Sequence, residues 1–130
     1  MKTDDEIKTI ANQVFTCEKK GLEKLAEQLD NNFPEAVKTL FSCKGRVIVT
    51  GIGKSANIAN KIVSTLNSTG TPAVFMHAAD AIHGDLGIIQ PNDVVVCISK
   101  SGNTPEIKVL IPLVKNTGNT LIHNKLKRKV

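Results

Sequence analysis

The chain has 130 residues, a formal net charge of +5 and 41% hydrophobic residues, and it contains no Trp or Tyr. These values predict one folded domain with a packed core and exclude wholesale disorder. Because no apolar run approaches the ~20 residues that a membrane helix needs, we expect no membrane span. The first six residues are acidic and unlike a signal peptide, so we expect a cytoplasmic protein.

The positive charge is concentrated at one end of the chain. Residues 125–130 carry four positive charges and no negative one, which leaves a net charge of +1 for residues 1–124. A nearly neutral body without Trp or Tyr does not match a dedicated nucleic-acid binder. We therefore expect no nucleic-acid or membrane partner and interpret 125–130 as a solvated basic tail, with contact to RNA or a membrane as the alternative.

The three cysteines, Cys17, Cys43 and Cys97, form no C-x-x-C pair. Cys97 stands in the most apolar run of the chain and is interpreted as a small core residue. We expect neither a structural disulfide nor a metal site from these residues.

The first 45 residues have the spacing of helices. Apolar residues recur every three to four positions over 4–29 and predict one long helix. Asn31-Asn32 interrupts this pattern, and a shorter second helix is predicted over 33–42, with Pro34 in its first turn.

From residue 46 onward, predicted strands alternate with helices. The strands are expected at 46–50, 73–77, 93–99 and 120–123, and the helices at 55–69 and 105–116. Ser55 and Thr104 are the predicted N-caps of the two helices, Gly70 is a C-cap, and Pro112 should bend its helix. Since 93–99 is apolar throughout, we expect a central strand covered on both faces. The alternation predicts the α/β class: a three-layer α/β/α sandwich with a parallel, Rossmann-like sheet, preceded by a helical segment.

Three segments follow the predicted strands at the edge where such sheets hold ligands: 51–55, 77–87 and 99–104. The first, Gly51-Ile52-Gly53-Lys54-Ser55, is typical of a phosphate-holding turn. An ATP-binding P-loop needs a glycine where Ile48 stands and is excluded. The glycines of this segment and Ala56 match a dinucleotide fingerprint, but the sequence lacks the acidic residue that should end the next strand. NAD binding is therefore the weaker alternative.

The third segment, Ser99-Lys100-Ser101-Gly102-Asn103-Thr104, combines three hydroxyls, one glycine and a helix N-terminus. Such groups suit a compact phosphate dianion, whereas a diphosphate needs a longer glycine stretch. The segment predicts a phosphomonoester site, and the alternative is an N-cap loop rich in Ser and Thr.

The middle segment, His83-Gly84-Asp85-Leu86-Gly87, adds titratable groups and is predicted to be a loop. Its alternative interpretation is a turn whose polar side chains cap backbone groups. His77 is interpreted as a packed or solvent-facing histidine at a strand end.

The motifs GIGKS, HAADAIHGDLG and SKSGNTPEI occur in this order. Together they resemble the sugar isomerase (SIS) domain, and more closely the arabinose 5-phosphate isomerases, over about residues 5–122. S-x-S-G-x-T is general to SIS domains, whereas G-x-G-K-S with H-G-D-L-G is typical of the arabinose 5-phosphate branch. The resemblance implies interconversion of D-arabinose 5-phosphate and D-ribulose 5-phosphate through an enediol for Kdo synthesis in lipopolysaccharide or capsule, with no cofactor and no metal.

The resemblance also implies roles for single residues. The residues matched to phosphate binding are Ser55, Ser99, Ser101, Gly102, Asn103 and Thr104. Lys54 and His83 match positions that line the sugar site, and Glu106 matches an acidic residue there. By their chemistry, Glu106 is the candidate base, Lys54 holds the phosphate or the oxyanion, and His83 shuttles protons during ring opening.

The family's domain continues past the strand at 120–123 with a fifth strand, a helix and further acidic and histidine site residues. We therefore expect a truncated SIS domain over residues 1–124, with one uncovered sheet edge, followed by the tail at 125–130. The resemblance implies a homo-oligomer, either a dimer or a tetramer. The sequence predicts a sugar-phosphate isomerase domain, inactive if the missing half is essential, and the alternative is a non-catalytic phosphosugar-binding regulatory module.

Overall fold

The computed structural model describes residues 1–123, so the predicted basic tail at 125–130 lies outside the described residues. The chain divides into two compact units, one formed by residues 1–35 and the other beginning at residue 36.

The first unit contains one long helix, α1 (Asp4–Glu27), close to the predicted bounds. The Thr3 hydroxyl accepts the Glu6 backbone N–H at 3.3 Å, and the Glu6 carboxylate accepts the Thr3 N–H at 2.8 Å. This reciprocal capping box fixes where the helix begins. Within the described chain, α1 has no buried residue. Helix α2 (Asn32–Phe41) begins in this unit and continues into the second.

The second unit is a parallel sheet with helices between its strands. Its elements in chain order are β1 (Val47–Gly51), α3 (Lys54–Ser68), β2 (Ala73–His77), α4 (Ala78–Ala81), a 3₁₀ turn (Asp85–Ile88), β3 (Val94–Cys97), α5 (Pro105–Asn116) and β4 (Thr120–His123). The strand order is β2-β1-β3-β4, and every pairing is parallel. The predicted central strand is therefore confirmed, although it is shorter than 93–99.

Two hydrophobic clusters cover the two faces of the sheet. On one face, Ile48 and Val95 pack with Leu110 of α5 and with the alanines of α4. On the other face, Val47 and Val49 pack with Ala59 of α3 and with Leu40 of α2. Because both faces are covered by helices, the predicted three-layer α/β/α architecture is confirmed.

The end of α3 corrects one predicted cap. Thr69, not Gly70, is the C-cap, and Gly70 follows it with φ +90°. The Thr71 N–H donates to the Leu66 carbonyl at 2.9 Å, and the Gly70 N–H donates to the Asn67 carbonyl at 3.4 Å. This is a Schellman motif, in which glycine takes the left-handed position just beyond the cap.

The three cysteines of the described chain are free thiols. Cys97 is buried, as predicted, and burial raises the pKa of its thiol to about 11. Cys17 is exposed and Cys43 is partly buried. Among residues 1–123, no helix combines the length and the apolar character that crossing a membrane requires.

Candidate functional site

The three predicted segments begin at the same edge of the sheet. Gly51 at the end of β1 pairs with His77 at the end of β2, and Thr50 pairs with Cys97 at the end of β3. The chain then leaves each strand into 52–55, 78–87 and 98–104. Parallel pairing in this register therefore brings the candidate residues to one carboxyl edge, where ligands of α/β sheets bind.

The first segment makes a tight turn into α3. A Cβ on Gly51 would lie 2.9 Å from the Ser55 carbonyl carbon and 3.0 Å from its oxygen, so only glycine allows the helix to approach this closely. Gly53 has φ +58° and occupies the N-cap position of α3. The prediction that Ser55 is the N-cap is therefore wrong: Lys54 and Ser55 are the first two helical residues.

Glycine at the N-cap leaves the start of α3 open to an anion. Gly53 makes no side-chain capping hydrogen bond. The helix dipole and the N–H groups of the first turn favour a negative charge at such a position. Lys54 is exposed at this point and Ser55 is half-buried, so a cation and a hydroxyl lie beside the same turn.

In the third segment, serine side chains accept hydrogen bonds from backbone N–H groups of the same segment. The Ile98 N–H donates to the Thr50 carbonyl at 2.8 Å, which ties the segment to β1. Ser99 is buried, and its Oγ accepts the Gly102 N–H at 2.9 Å. The Ser101 Oγ accepts the Asn103 N–H at 3.2 Å. Ser101, Gly102 and Asn103 are exposed, so a small ligand can reach their polar groups.

Thr104 occupies the N-cap position of α5, as predicted, but its side chain makes no capping hydrogen bond. Its Oγ1 is buried and has no hydrogen-bond partner among residues 1–123. Buried polar atoms are nearly always satisfied, so a partnerless hydroxyl at the N-terminus of a helix is a candidate ligand-binding group. Glu106, the second residue of this helix, is half-buried beside the buried Ile107.

The middle segment is more ordered than predicted. A loop was expected over 83–87, but a 3₁₀ turn begins at Asp85, and helix α4 precedes the segment. His83 and Gly84 lie between these elements, and Gly84 has φ +139°, which only glycine adopts readily. His83 and Asp85 are exposed. The structure thus keeps both residues in the segment that follows β2, and it holds the connection in a defined conformation.

Two further side chains at this edge were not predicted to belong to the site. Thr50 is fully buried, and its Oγ1 has no hydrogen-bond partner in the described chain. The Nδ1 atom of His77 is also buried without such a partner, 3.8 Å from an Asp80 carboxylate oxygen. The His77 ring meets the Phe75 ring edge-on, with centroids 6.2 Å apart. The one available sequence signal was the position of both residues at strand ends.

The opposite edge of the sheet holds a different polar cluster. Asp93 is buried and accepts the Arg46 backbone N–H at 2.7 Å, the Arg46 guanidinium at 2.8 Å and the Gln90 N–H at 2.9 Å. Burial acts to raise the pKa of Asp93, but these hydrogen bonds and the Arg46 charge hold it below its usual value. An open cavity of about 650 Å³ lies nearby, lined in part by Lys44, Asn92 and Asn119. It lies before the strands and is therefore separate from the candidate site.

The described residues show no cluster of three or more His, Cys, Asp or Glu side chains suited to hold a metal ion. The carboxyl edge instead offers hydroxyls, backbone N–H groups, two helix N-termini and the cation of Lys54. This donor set suits a phosphate dianion, and the adjacent His83 and Glu106 add groups that can exchange protons.

Comparison with known proteins identifies the family of the chain. Residues 40–123 match the SIS domain family. The chain belongs to the SIS domain family. An arabinose 5-phosphate isomerase KdsD of Yersinia pestis is 48% identical over 103 residues, which are 79% of this SIS chain and 31% of that protein. An arabinose 5-phosphate isomerase KpsF of Escherichia coli O6:H1 (strain CFT073) is 43% identical over 120 residues, which are 92% of this chain and 37% of that protein.

A solved structure of an Escherichia coli CFT073 protein in complex with arabinose 5-phosphate is similar to this SIS chain, with a TM-score of 0.88 and 38% identity. The match covers 94% of the chain and 65% of that structure. The chain spans about a third of the length of the curated relatives.

Proposed function

We propose that this SIS chain binds a sugar phosphate at the carboxyl edge of its sheet, with the phosphate held between the N-termini of α3 and α5. The observation that carries this proposal is the buried, partnerless Thr104 hydroxyl at the start of α5. A phosphate oxygen at that position would accept the Thr104 O–H and would be stabilised by the helix dipole. Ser55, Ser99, Ser101, Gly102 and Asn103 complete the proposed phosphate site.

The proposed reaction is the interconversion of D-arabinose 5-phosphate and D-ribulose 5-phosphate. The relatives named arabinose 5-phosphate isomerase support this choice. Glu106 removes the proton from C2 of the open-chain aldose, while the carbonyl oxygen at C1 gains a proton, and this gives an enediol. Return of a proton to C1 and loss of the proton on O2 give the ketose. Lys54 stabilises the developing negative charge, and His83 exchanges protons during ring opening.

The first experiment separates binding from catalysis in one sample of the 130-residue chain. Thermal unfolding is measured with D-arabinose 5-phosphate, inorganic phosphate, D-arabinose and NADH, and the isomerase reaction is assayed in parallel. We expect stabilisation by the sugar phosphate and by phosphate, and none by D-arabinose or NADH, because the site recognises the phosphate. No response to any phosphate compound would contradict the proposed site, and stabilisation by NADH would favour the dinucleotide alternative.

A matched pair of variants tests the observation itself. Thr104→Val keeps the shape of the side chain but removes the hydroxyl, so stabilisation by the sugar phosphate should fall strongly. Thr65→Val makes the same change on the exposed surface of α3 and should leave it unchanged. Equal responses of the two variants would argue against a role for Thr104.

Catalysis has its own test. If the chain turns over, Glu106→Gln should lower kcat by roughly 100-fold or more while sugar-phosphate binding is retained, since a general base contributes about that much. Binding without turnover in the unmodified chain would favour the phosphosugar-binding module, and turnover that survives Glu106→Gln would exclude Glu106 as the base.

The proposal extends to the setting of the reaction. We propose that the protein acts in the cytoplasm, in the supply of Kdo for lipopolysaccharide or capsule, and that it works as a homo-oligomer. Isomerase relatives that match over most of this chain support the reaction step. Oligomeric assembly is supported by the apolar surface that α1 exposes.

A further inference from the structure

Helix α1 exposes a long apolar surface. Its 24 residues extend over about 36 Å. Seven large apolar side chains of residues 4–29 are between 41% and 72% exposed: Ile7, Ile10, Val14, Phe15, Leu22, Leu25 and Leu29. An amphipathic helix gains most of its stability from covering such a face, and an isolated helix is only marginally stable in water. Covering this face would therefore stabilise α1.

The spacing of the face identifies the kind of partner. One stripe runs along α1 and just past its end through Ile7, Ala11, Val14, Glu18, Leu22, Leu25 and Leu29, at intervals of 4, 3, 4, 4, 3 and 4 residues. This series reads the same in both directions. If two copies of α1 lie antiparallel with Glu18 at the centre, Ile7 falls opposite Leu29 and Val14 falls opposite Leu22. The stripe is thus complementary to itself, as a two-fold symmetric interface requires.

The charges near the centre fit the same arrangement. Glu18 falls opposite its own copy, and such a pair would repel if it stood alone. In this register, however, Lys19 of one helix lies opposite residue 17 of the other, one residue from Glu18, so each carboxylate has a lysine of the second copy nearby. The polar face, which includes Thr9, Gln13 and Thr16, points away from the stripe.

We propose that α1 is a self-association surface, pairing antiparallel with α1 of a second copy of this chain through the stripe from Ile7 to Leu29. This deepens the proposed homo-oligomer by naming its contact surface, and it does not depend on the proposed chemistry. The exposed Cys17 lies beside the centre of the pair, so the two copies of Cys17 come close together on the same side.

The test is the association of the 130-residue chain, measured by sedimentation equilibrium. We expect the unmodified chain to dimerise or to form larger even-numbered assemblies. Val14→Glu should weaken association by roughly 100-fold or more, because each pair carries two charges in its apolar centre. Gln13→Glu adds the same charge one residue away on the polar face and should leave the association constant within about twofold.

Cross-linking provides a second measurement that needs no substitution in the stripe. A bis-maleimide reagent should join Cys17 to Cys17 of the second copy, and mass spectrometry of the cross-linked peptide identifies the pair. The product should vanish in Cys17→Ser and persist in Cys43→Ser. A monomeric chain, an oligomer without the Cys17–Cys17 product, or equal effects of Val14→Glu and Gln13→Glu would each overturn the proposal. Loss of isomerase activity or phosphate binding would leave these readouts unaffected.

Discussion

Thr50 places a polar hydroxyl group in an apolar part of the core. Its side chain is fully buried in the sheet, where its register partners are Met76 and Cys97, and its hydroxyl has no hydrogen-bond partner among residues 1–123. Such a group lowers stability, because it loses its bonds to water without replacement. It lies one residue before the Gly51 turn, at the edge proposed to hold the sugar phosphate. A ligand or a water molecule held by the ligand would satisfy it.

Replacing Thr50 with its apolar isostere tests this idea. Thr50→Val should raise the free energy of unfolding of the ligand-free chain by about 1–2 kcal/mol, since the unsatisfied hydroxyl is removed without a cavity. The same variant should show a smaller thermal shift with D-arabinose 5-phosphate. Thr50→Ser is the control, since it keeps the hydroxyl and loses a methyl group. A destabilised Thr50→Val chain would show that the hydroxyl is satisfied in solution.

Asp93 carries a pH-dependent share of the stability. Hydrogen bonds from Arg46 and Gln90 hold its pKa below the usual value despite its burial. A carboxyl whose pKa is lowered by folding stabilises the protein above its unfolded pKa and loses that contribution as the pH falls through the folded pKa.

We therefore expect Asp93→Asn to lower the free energy of unfolding by about 2 kcal/mol at pH 7, and we expect this difference to shrink below about pH 4. Chemical denaturation across this range measures it. Asp5→Asn removes a carboxylate that is 96% exposed and should have little effect at any pH. A difference that stays constant down to about pH 2 would contradict the assignment.

At the scale of residues, sequence patterns indicate which polar groups follow the strands, but not which hydrogen bonds they make. The serines of 99–104 and the glycines of the first turn were recognisable because their types and spacing suit a phosphate. Ser55 was wrongly predicted to be a cap, because the positive φ of Gly53 decides where the helix begins. The unsatisfied Thr50 and His77 atoms depend on tertiary packing, which residue patterns do not reveal.

Among the elements, the turn from β1 into α3 depends most on one glycine. A Cβ on Gly51 would lie within 3.1 Å of backbone atoms of Ser55 and Ala56, and backbone atoms cannot rotate away as side chains can. Gly51→Ala should therefore displace the first turn of α3, lower the free energy of unfolding by about 1–3 kcal/mol and weaken phosphate binding.

The matched control for this substitution is Gly87→Ala. A Cβ on Gly87 would meet nothing within 4 Å in the described chain, and its φ is not in the left-handed region, so this change should cost little. Thermal unfolding and a titration with inorganic phosphate of both variants make the comparison. Gly51→Ala with unchanged stability would show that the start of α3 can move freely.

Element predictions succeeded where the hydrophobic pattern was long. The helices predicted at 4–29 and 105–116 form at Asp4–Glu27 and Pro105–Asn116. The strands and their parallel order follow from periodicity and from the apolar character of β3. Helix α4 and the 3₁₀ turn, which enters the predicted loop at 83–87, were not predicted. They have four residues each, too few to establish a helical period.

For the whole molecule, burial predicts an order of local stability. The amides of β1 and β3 lie in the covered centre of the sheet, whereas α1 has no buried residue in the described chain. Hydrogen exchange should therefore be slowest in Val47–Thr50 and Val94–Cys97 and fastest in α1 when the chain is dilute.

Hydrogen exchange measured at several protein concentrations also tests the proposed self-association of α1. Protection of α1 should increase with concentration, because pairing covers its stripe, while protection of β1 and β3 stays nearly constant. Protection of α1 that is independent of concentration would count against antiparallel pairing. The division into two units could not be predicted from sequence, since the spacing in α1 shows which face is apolar and not what covers it.

The buried thiol of Cys97 can be used to measure the rate at which the sheet opens. Alkylating reagents attack the thiolate form of cysteine. Cys97 reacts slowly in the folded protein because its pKa is raised to about 11, so little thiolate forms, and because its side chain is buried. Cys17 is exposed and will be modified at once. Cys43 is only partly buried and should react before Cys97, so the slowest modification, that of Cys97, reports how often β3 opens. The lifetime of the folded sheet can thus be timed in the natural sequence, without an engineered probe.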